Sequence, residues 1–69
     1  MDSVYKIVEI VGTSTESWEA AATAAVSKAA SSLRDLRIAE VSALDLHLGE
    51  EGEVVAFRTK LKVSFKFGE

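Results

Sequence analysis

From residue 53 to residue 67, apolar and polar positions alternate. Val55, Phe57, Leu61, Val63, Phe65 and Phe67 share one parity, and Arg58, Lys60, Lys62, Ser64 and Lys66 share the other. A period of two sends successive side chains to opposite faces of an extended chain. The spacing therefore predicts a half-buried β-strand with one apolar and one cationic face. The stretch is about twice the usual strand length.

Residues 4–11 read Val-Tyr-Lys-Ile-Val-Glu-Ile-Val, rich in β-branched residues and interrupted once per face by Lys6 and Glu9. A strand apolar on both faces is expected at the centre of a sheet or covered on both sides. Gly12 to Glu16 breaks it; Thr13 and Glu16 have capping-box spacing, with Ser14 the alternative N-cap. From residue 15 to about residue 34 the period becomes helical. Trp18, Ala22, Ala25, Val26, Ala29 and Leu33 recur at steps of three and four. Because the stripe is mostly alanine, a sheet can approach it closely, and helix propensity is high. Glu16 and Glu19 near the start and Lys28 and Arg34 near the end complement the helix dipole.

Residues 36–48 form a second long extended segment with a conflict of phase. Ala39, Val41 and Ala43 favour one face, whereas Leu36, Ile38, Leu44, Leu46 and Leu48 favour the other. Such a conflict predicts a bulge, a twist, or burial on both faces by neighbouring chains. Gly49-Glu50-Glu51-Gly52 then closes a hairpin onto the final strand. The order is β-α-β-β: an α+β fold in which a three-stranded antiparallel sheet wraps one helix, with residues 1–69 as a single domain.

Composition narrows the function. At 69 residues the chain is small for a lone domain, and chains near 60 residues bury only roughly 60% of their unfolded surface. Cysteine is absent and there is one histidine, so disulfides, thiolate chemistry and a zinc site fall away. Self-assembly is the remaining route to stability. A net charge of −3 with both signs interspersed argues against nucleic acid. No apolar run approaches the roughly 20 residues of a membrane span. The N-terminus has no signal-peptide pattern, so the expected location is the cytoplasm. No Ser-His-Asp motif or Gly-rich phosphate loop supports an enzyme.

The opening Val4-Tyr5-Lys6-Ile7-Val8-Glu9-Ile10-Val11-Gly12-Thr13-Ser14, the Ala-rich helix and the closing Leu61-Lys62-Val63-Ser64-Phe65 resemble the dodecins over essentially the whole chain. The resemblance implies the same fold, assembly as a hollow homododecamer of tetrahedral symmetry, and a non-enzymatic role. Flavin-binding members stack flavins between tryptophans at subunit interfaces and store or sequester them. Here Ile38 occupies the stacking Trp position, Arg58 that of a flavin-bonding Gln, and Asp45-Leu46 that of an Arg-Gly pair. An isoleucine can cover a ring without reproducing aromatic stacking geometry, and Arg offers donors only. The resemblance thus implies weak flavin binding or none, with a genuine flavin-sequestering protein the alternative. Ser17-Trp18, Arg37-Ile38-Ala39 and Arg58 resemble more closely a divergent subgroup with a calcium-binding member.

Asp45, Glu50, Glu51 and Glu53 are the candidate metal ligands. A calcium ion takes six to eight oxygens, more than one turn supplies, although symmetry copies near an axis could add to it. Trp18 lies in the first turn of the helix and reads as a core or interface anchor. His47 shares a strand face with Asp45. Glu40 is placed to pair with the cations of the last strand.

Overall fold

The computed structural model describes residues 2–68. Four elements follow in the expected order: β1 (Tyr5–Ser14), α1 (Trp18–Ala30), β2 (Leu36–Leu48) and β3 (Val54–Lys66). Both pairings are antiparallel, and the spatial order is β1-β3-β2. The central strand is therefore β3, not β1. The expectation for residues 4–11 is corrected: β1 is an edge strand, and Tyr5, Ile7 and Val11 on its helix-distal face are 47–64% exposed.

The helix begins later than Thr13 or Ser14. Ser17 is the N-cap, with extended backbone at φ −169° and a hydroxyl that accepts from the Ala20 N–H at 2.9 Å. Ser14 instead accepts from the Glu16 N–H at 3.0 Å, which tightens the link between strand and helix. Each hydroxyl satisfies a backbone donor that would otherwise be left open.

The core is small. Ala21, Ala25, Leu61 and Val63 are its buried apolar residues, with Thr59 beside them in the same row of β3. Leu61 and Val63 bear out the predicted apolar parity, while Val55 and Phe67 at its ends stay exposed. Val8, Ile10, Ala22, Val26 and Leu36 pack around this centre. At Gly12 the helix backbone comes so close that an added methyl group would collide with the Ala21 carbonyl.

β2 shows the irregularity its sequence predicts. Its register shifts between Leu36 and Ile38, between Val41 and Ala43, and between His47 and Leu48. Since directly paired residues share a sheet face, Ala39 and Val41 lie with Val63 and Leu61, and after the shift Leu44 and Leu46 lie with Thr59 and Phe57. The bulge thus returns the leucines to the helix side.

Length is mismatched between the layers. The 13-residue strands span about 43 Å at roughly 3.3 Å per residue, whereas a 13-residue helix spans about 20 Å. β1 reaches only to Ser14 opposite Phe57. Residues 46–56 therefore project as a two-stranded arm, and the molecule measures 54 × 19 × 15 Å. Its radius of gyration is 14.2 Å, against about 11 Å for a compact domain of this length. Its accessible surface is 5166 Å², where a 7.4 kDa monomer has about 4200 Å². No helix among the described residues is long and apolar enough to cross a membrane.

Candidate functional site

Cross-strand pairing sets the best-defined polar feature. The β2–β3 register puts Asp45 opposite Arg58 on the helix-distal face. Arg58 Nε donates to Asp45 Oδ1 at 2.7 Å and Nη2 donates to Oδ2 at 3.2 Å, a bidentate fork matched to a carboxylate. Both side chains are 39% exposed. The Arg58 hydrogen bonds, aided by the charges of Arg58 and Lys60 and opposed by partial desolvation, hold the Asp45 carboxyl below its ordinary value. The same contact raises the Arg58 guanidinium further above its own.

The helix start is tied to this pair. Trp18 Nε1 donates to the Asp45 carbonyl at 3.1 Å, and Thr59 Oγ1 donates to the Trp18 carbonyl at 2.8 Å. The Trp18 ring meets Phe57 edge-on, with centroids 5.2 Å apart and planes at 74°. Trp18 is therefore the anchor its position predicts, joining α1 to both strands of the hairpin.

Ile38 lies elsewhere on the same face. It pairs with Ser64 and is 68% exposed. Ser64 is six positions along β3 from Arg58, so Ile38 and the Asp45–Arg58 pair stand about 20 Å apart. One chain does not bring the three residues together.

The candidate metal ligands are also dispersed. Both Asp45 oxygens engage Arg58. Glu53 Oε1 accepts from the Glu51 N–H at 3.1 Å inside the turn, and the Gly49 N–H donates to the Glu53 carbonyl at 2.8 Å. Gly52 supplies the positive φ of 83° that the turn requires. Among the described residues, no group of three or more His, Asp or Glu side chains is gathered closely enough to hold a metal ion. His47 sits opposite Ala56 and is exposed. Glu40 stands opposite Lys62, as its parity predicted, and Glu9 flanks Lys62 from the other side.

The Asp45–Arg58 pair escaped the sequence reading because it depends on register across a bulged strand. The available signal was the phase conflict between Val41 and Leu44. The close approach at Gly12 accords with the alanine stripe through Ala25, while Ala21, whose carbonyl is the nearest group, lay outside that stripe.

The Dodecin family model matches residues 4–68. The calcium dodecin of Mycobacterium tuberculosis is 47% identical over 64 residues, covering 93% of this chain and 89% of that protein. Its crystal structure, described as a calcium-chelating immunodominant antigen with a novel calcium-binding site, superposes with a TM-score of 0.83 at 45% identity, over 96% of this chain and 93% of that one. The crystal structure of a point mutant of the Thermus thermophilus dodecin gives a TM-score of 0.87 at 43% identity, over 99% of this chain and 100% of that one.

Proposed function

The chain belongs to the dodecin family, and from that premise we propose that it is a non-enzymatic subunit of a self-assembling shell that holds a small ligand or ion without binding flavin tightly. The Asp45–Arg58 pair carries this reading. The resemblance puts Arg58 at the position of the Gln that bonds the flavin ring edge and Asp45 at that of the Arg of an Arg-Gly pair, yet here the two residues are joined in a bidentate fork. A ring edge arriving there meets a guanidinium that has two N–H groups engaged by Asp45 and no acceptor to offer, in place of an amide that both donates and accepts. At the stacking position, Ile38 offers an exposed aliphatic surface in place of an aromatic platform.

Assembly is supported by the surface. Among the described residues twelve large apolar ones are exposed, including Val4, Ile7, Ile38, Leu44, Leu48 and Val54, against four buried apolar residues, two of them alanine. Such a surface on a lone chain marks contact with other chains. A homododecamer, as the family resemblance implies, covers it.

Calcium is the second reading, favoured by the identity to the calcium dodecin. Asp45, Glu50, Glu51 and Glu53 are its candidate ligands, with neighbouring copies completing the oxygen set that one turn lacks. The shell is assigned to the cytoplasm, where it stores its ligand.

A riboflavin fluorescence titration of metal-stripped protein, repeated with added Ca²⁺, tests the proposal. Absence of quenching at low micromolar protein supports it, and a calcium-dependent change in Trp18 emission favours the ion. Saturable quenching without calcium would overturn it in favour of flavin sequestration.

A further inference from the structure

β2 leaves its straight ladder with β3 and then rejoins it. Val41 faces Leu61, but Ser42 has no partner and Ala43 faces Lys60, so every pair from Ala43 to His47 is displaced by one residue. Beyond His47, which faces Ala56, the ladder resumes with Leu48 opposite Val54, and Val55 is the residue left out on β3. Ser42 and Val55 are thus two compensating bulges, one per strand. They bracket residues 43–47, whose register can change by one step while the flanking pairs, Val41–Leu61 and Leu48–Val54, keep their places. Straightened, the segment would set Asp45 opposite Phe57 on the helix side and turn Leu44 and Leu46 outward, because a one-residue step exchanges the faces. Burial alone holds the displaced register weakly, since Leu44 and Leu46 remain 52% and 40% exposed. Two side chains pin it. The Ser42 hydroxyl donates to the Lys60 carbonyl at 3.2 Å, across the first bulge. Trp18, whose carbonyl accepts from the buried Thr59 hydroxyl at 2.8 Å, donates its indole N–H to the Asp45 carbonyl at 3.1 Å, in the middle of the segment. Both bonds join partners whose relative positions differ between the two registers.

We propose that Ser42 and Trp18 are the positioning residues of the ligand face, keeping residues 43–47 in the displaced register so that the Asp45 carboxylate occupies the Arg58 guanidinium. This rests on the non-flavin reading of that face proposed above and names what controls it. Straightening withdraws Asp45 to the helix side. The Arg58 fork, with Lys60 two residues further along the same face of β3, is then open to a carboxylate or phosphate group of a ligand. Ser42 and Trp18 therefore decide whether the face presents a closed ion pair or a free anion-binding fork.

Proton exchange at the Arg58 Nε–H, which donates to Asp45 at 2.7 Å, reads the register. Arginine side-chain NMR of the wild-type protein, with the Arg58 signal identified by its loss in Arg58→Lys, is compared with that of Trp18→Phe, Ser42→Ala and Ser42→Thr. One hydrogen bond of ordinary net strength corresponds to about fivefold in an equilibrium. Exchange should therefore quicken about fivefold in Trp18→Phe and in Ser42→Ala, and keep the wild-type rate in Ser42→Thr, which retains the hydroxyl. Val26→Ala, a packing change beside the core, controls for lost stability alone and should leave the rate unchanged. Unchanged exchange in Trp18→Phe or Ser42→Ala would overturn the proposal, and so would equal acceleration in Val26→Ala or Ser42→Thr. Ser42 is exposed, so its two variants decide the matter should Trp18→Phe fail to fold. Riboflavin quenching by the wild type would instead overturn the non-flavin reading and leave these rates untouched.

Discussion

Replacing Gly12 with alanine adds one methyl group at the point where α1 presses on β1. A Cβ there falls onto the Ala21 carbonyl oxygen and lies 2.9 Å from both the Ala21 carbonyl carbon and the Ala25 Cβ. Non-bonded carbons rest at about 3.5–4.0 Å, so the carbon contacts alone require the helix to retreat by roughly 0.6–1.1 Å, and the nearer carbonyl oxygen requires more. The obstacle is backbone, which cannot rotate away as a side chain would. Overpacking of this kind costs about 1–3 kcal/mol, and a backbone clash belongs at the upper end. Removing glycine from a strand interior returns about 0.5–1 kcal/mol. The net loss is therefore about 2 kcal/mol, a large part of the roughly 3.5–10 kcal/mol that 69 residues provide. Urea unfolding at fixed protomer concentration measures it, and a slope near 1 kcal/mol/M makes the expected fall in midpoint about 2 M. Adding Ala25→Gly should recover only part of that fall, because the Ala21 carbonyl stays in place. An unchanged or raised midpoint for Gly12→Ala would refute the close approach on which the packing argument depends.

Three further outcomes are expected. Ile38→Trp with Arg58→Gln should create or strengthen riboflavin quenching relative to the parent; a normally assembled double variant with no gain in quenching would show that these positions do not form the ligand pocket. The Asp45 carboxyl titrates below its ordinary value near 3.8 because Arg58 stabilises its charged form, so the contribution of the pair is complete above about pH 4 and is lost as pH falls through the lower folded value. The stability difference between wild type and Asp45→Asn should shrink between pH 5 and pH 2, and a constant difference across that range would count against the pairing. Trp18→Phe keeps an edge contact with Phe57 but deletes the donor to the Asp45 carbonyl, and should cost about 1 kcal/mol in thermal or urea unfolding; an unaltered stability would mean the hydrogen bond is idle.

Periodicity carried most of the fold. β2 occupies residues 36–48 as its composition predicted, and the apolar parity of β3 located Leu61 and Val63. Short-range signals failed where several hydroxyls compete. Thr13, Ser14 and Ser17 can each cap a helix, and the choice fell on Ser17 because Ser14 lies within β1, opposite Phe57. Strand order was also beyond local reading. The apolar faces of residues 4–11 are those of a covered strand, and in one chain β1 is nonetheless at the edge, with its outer face open. The candidate site was legible as residue types and illegible as partners. Asp45 looked like an oxygen donor beside His47, whereas the register across the bulge gives both of its oxygens to Arg58.

The place of β3 at the centre of the sheet sets a timetable for folding. β1, made before α1 and β2, pairs with β3, made after them, Tyr5 opposite Lys66, and among the described residues β2 also pairs only with β3. At about 5–20 residues per second, β1 and the alanine face of α1 wait several seconds with no strand to receive their hydrogen bonds or their apolar side chains. The β1–β3 pairing is the most distant in sequence and the slowest kind to form, whereas β2 meets β3 through the adjacent Gly49–Gly52 hairpin. Stopping translation just before residue 57 would leave β1 and β2 without the strand that joins them, so the three-stranded sheet closes only once β3 has emerged.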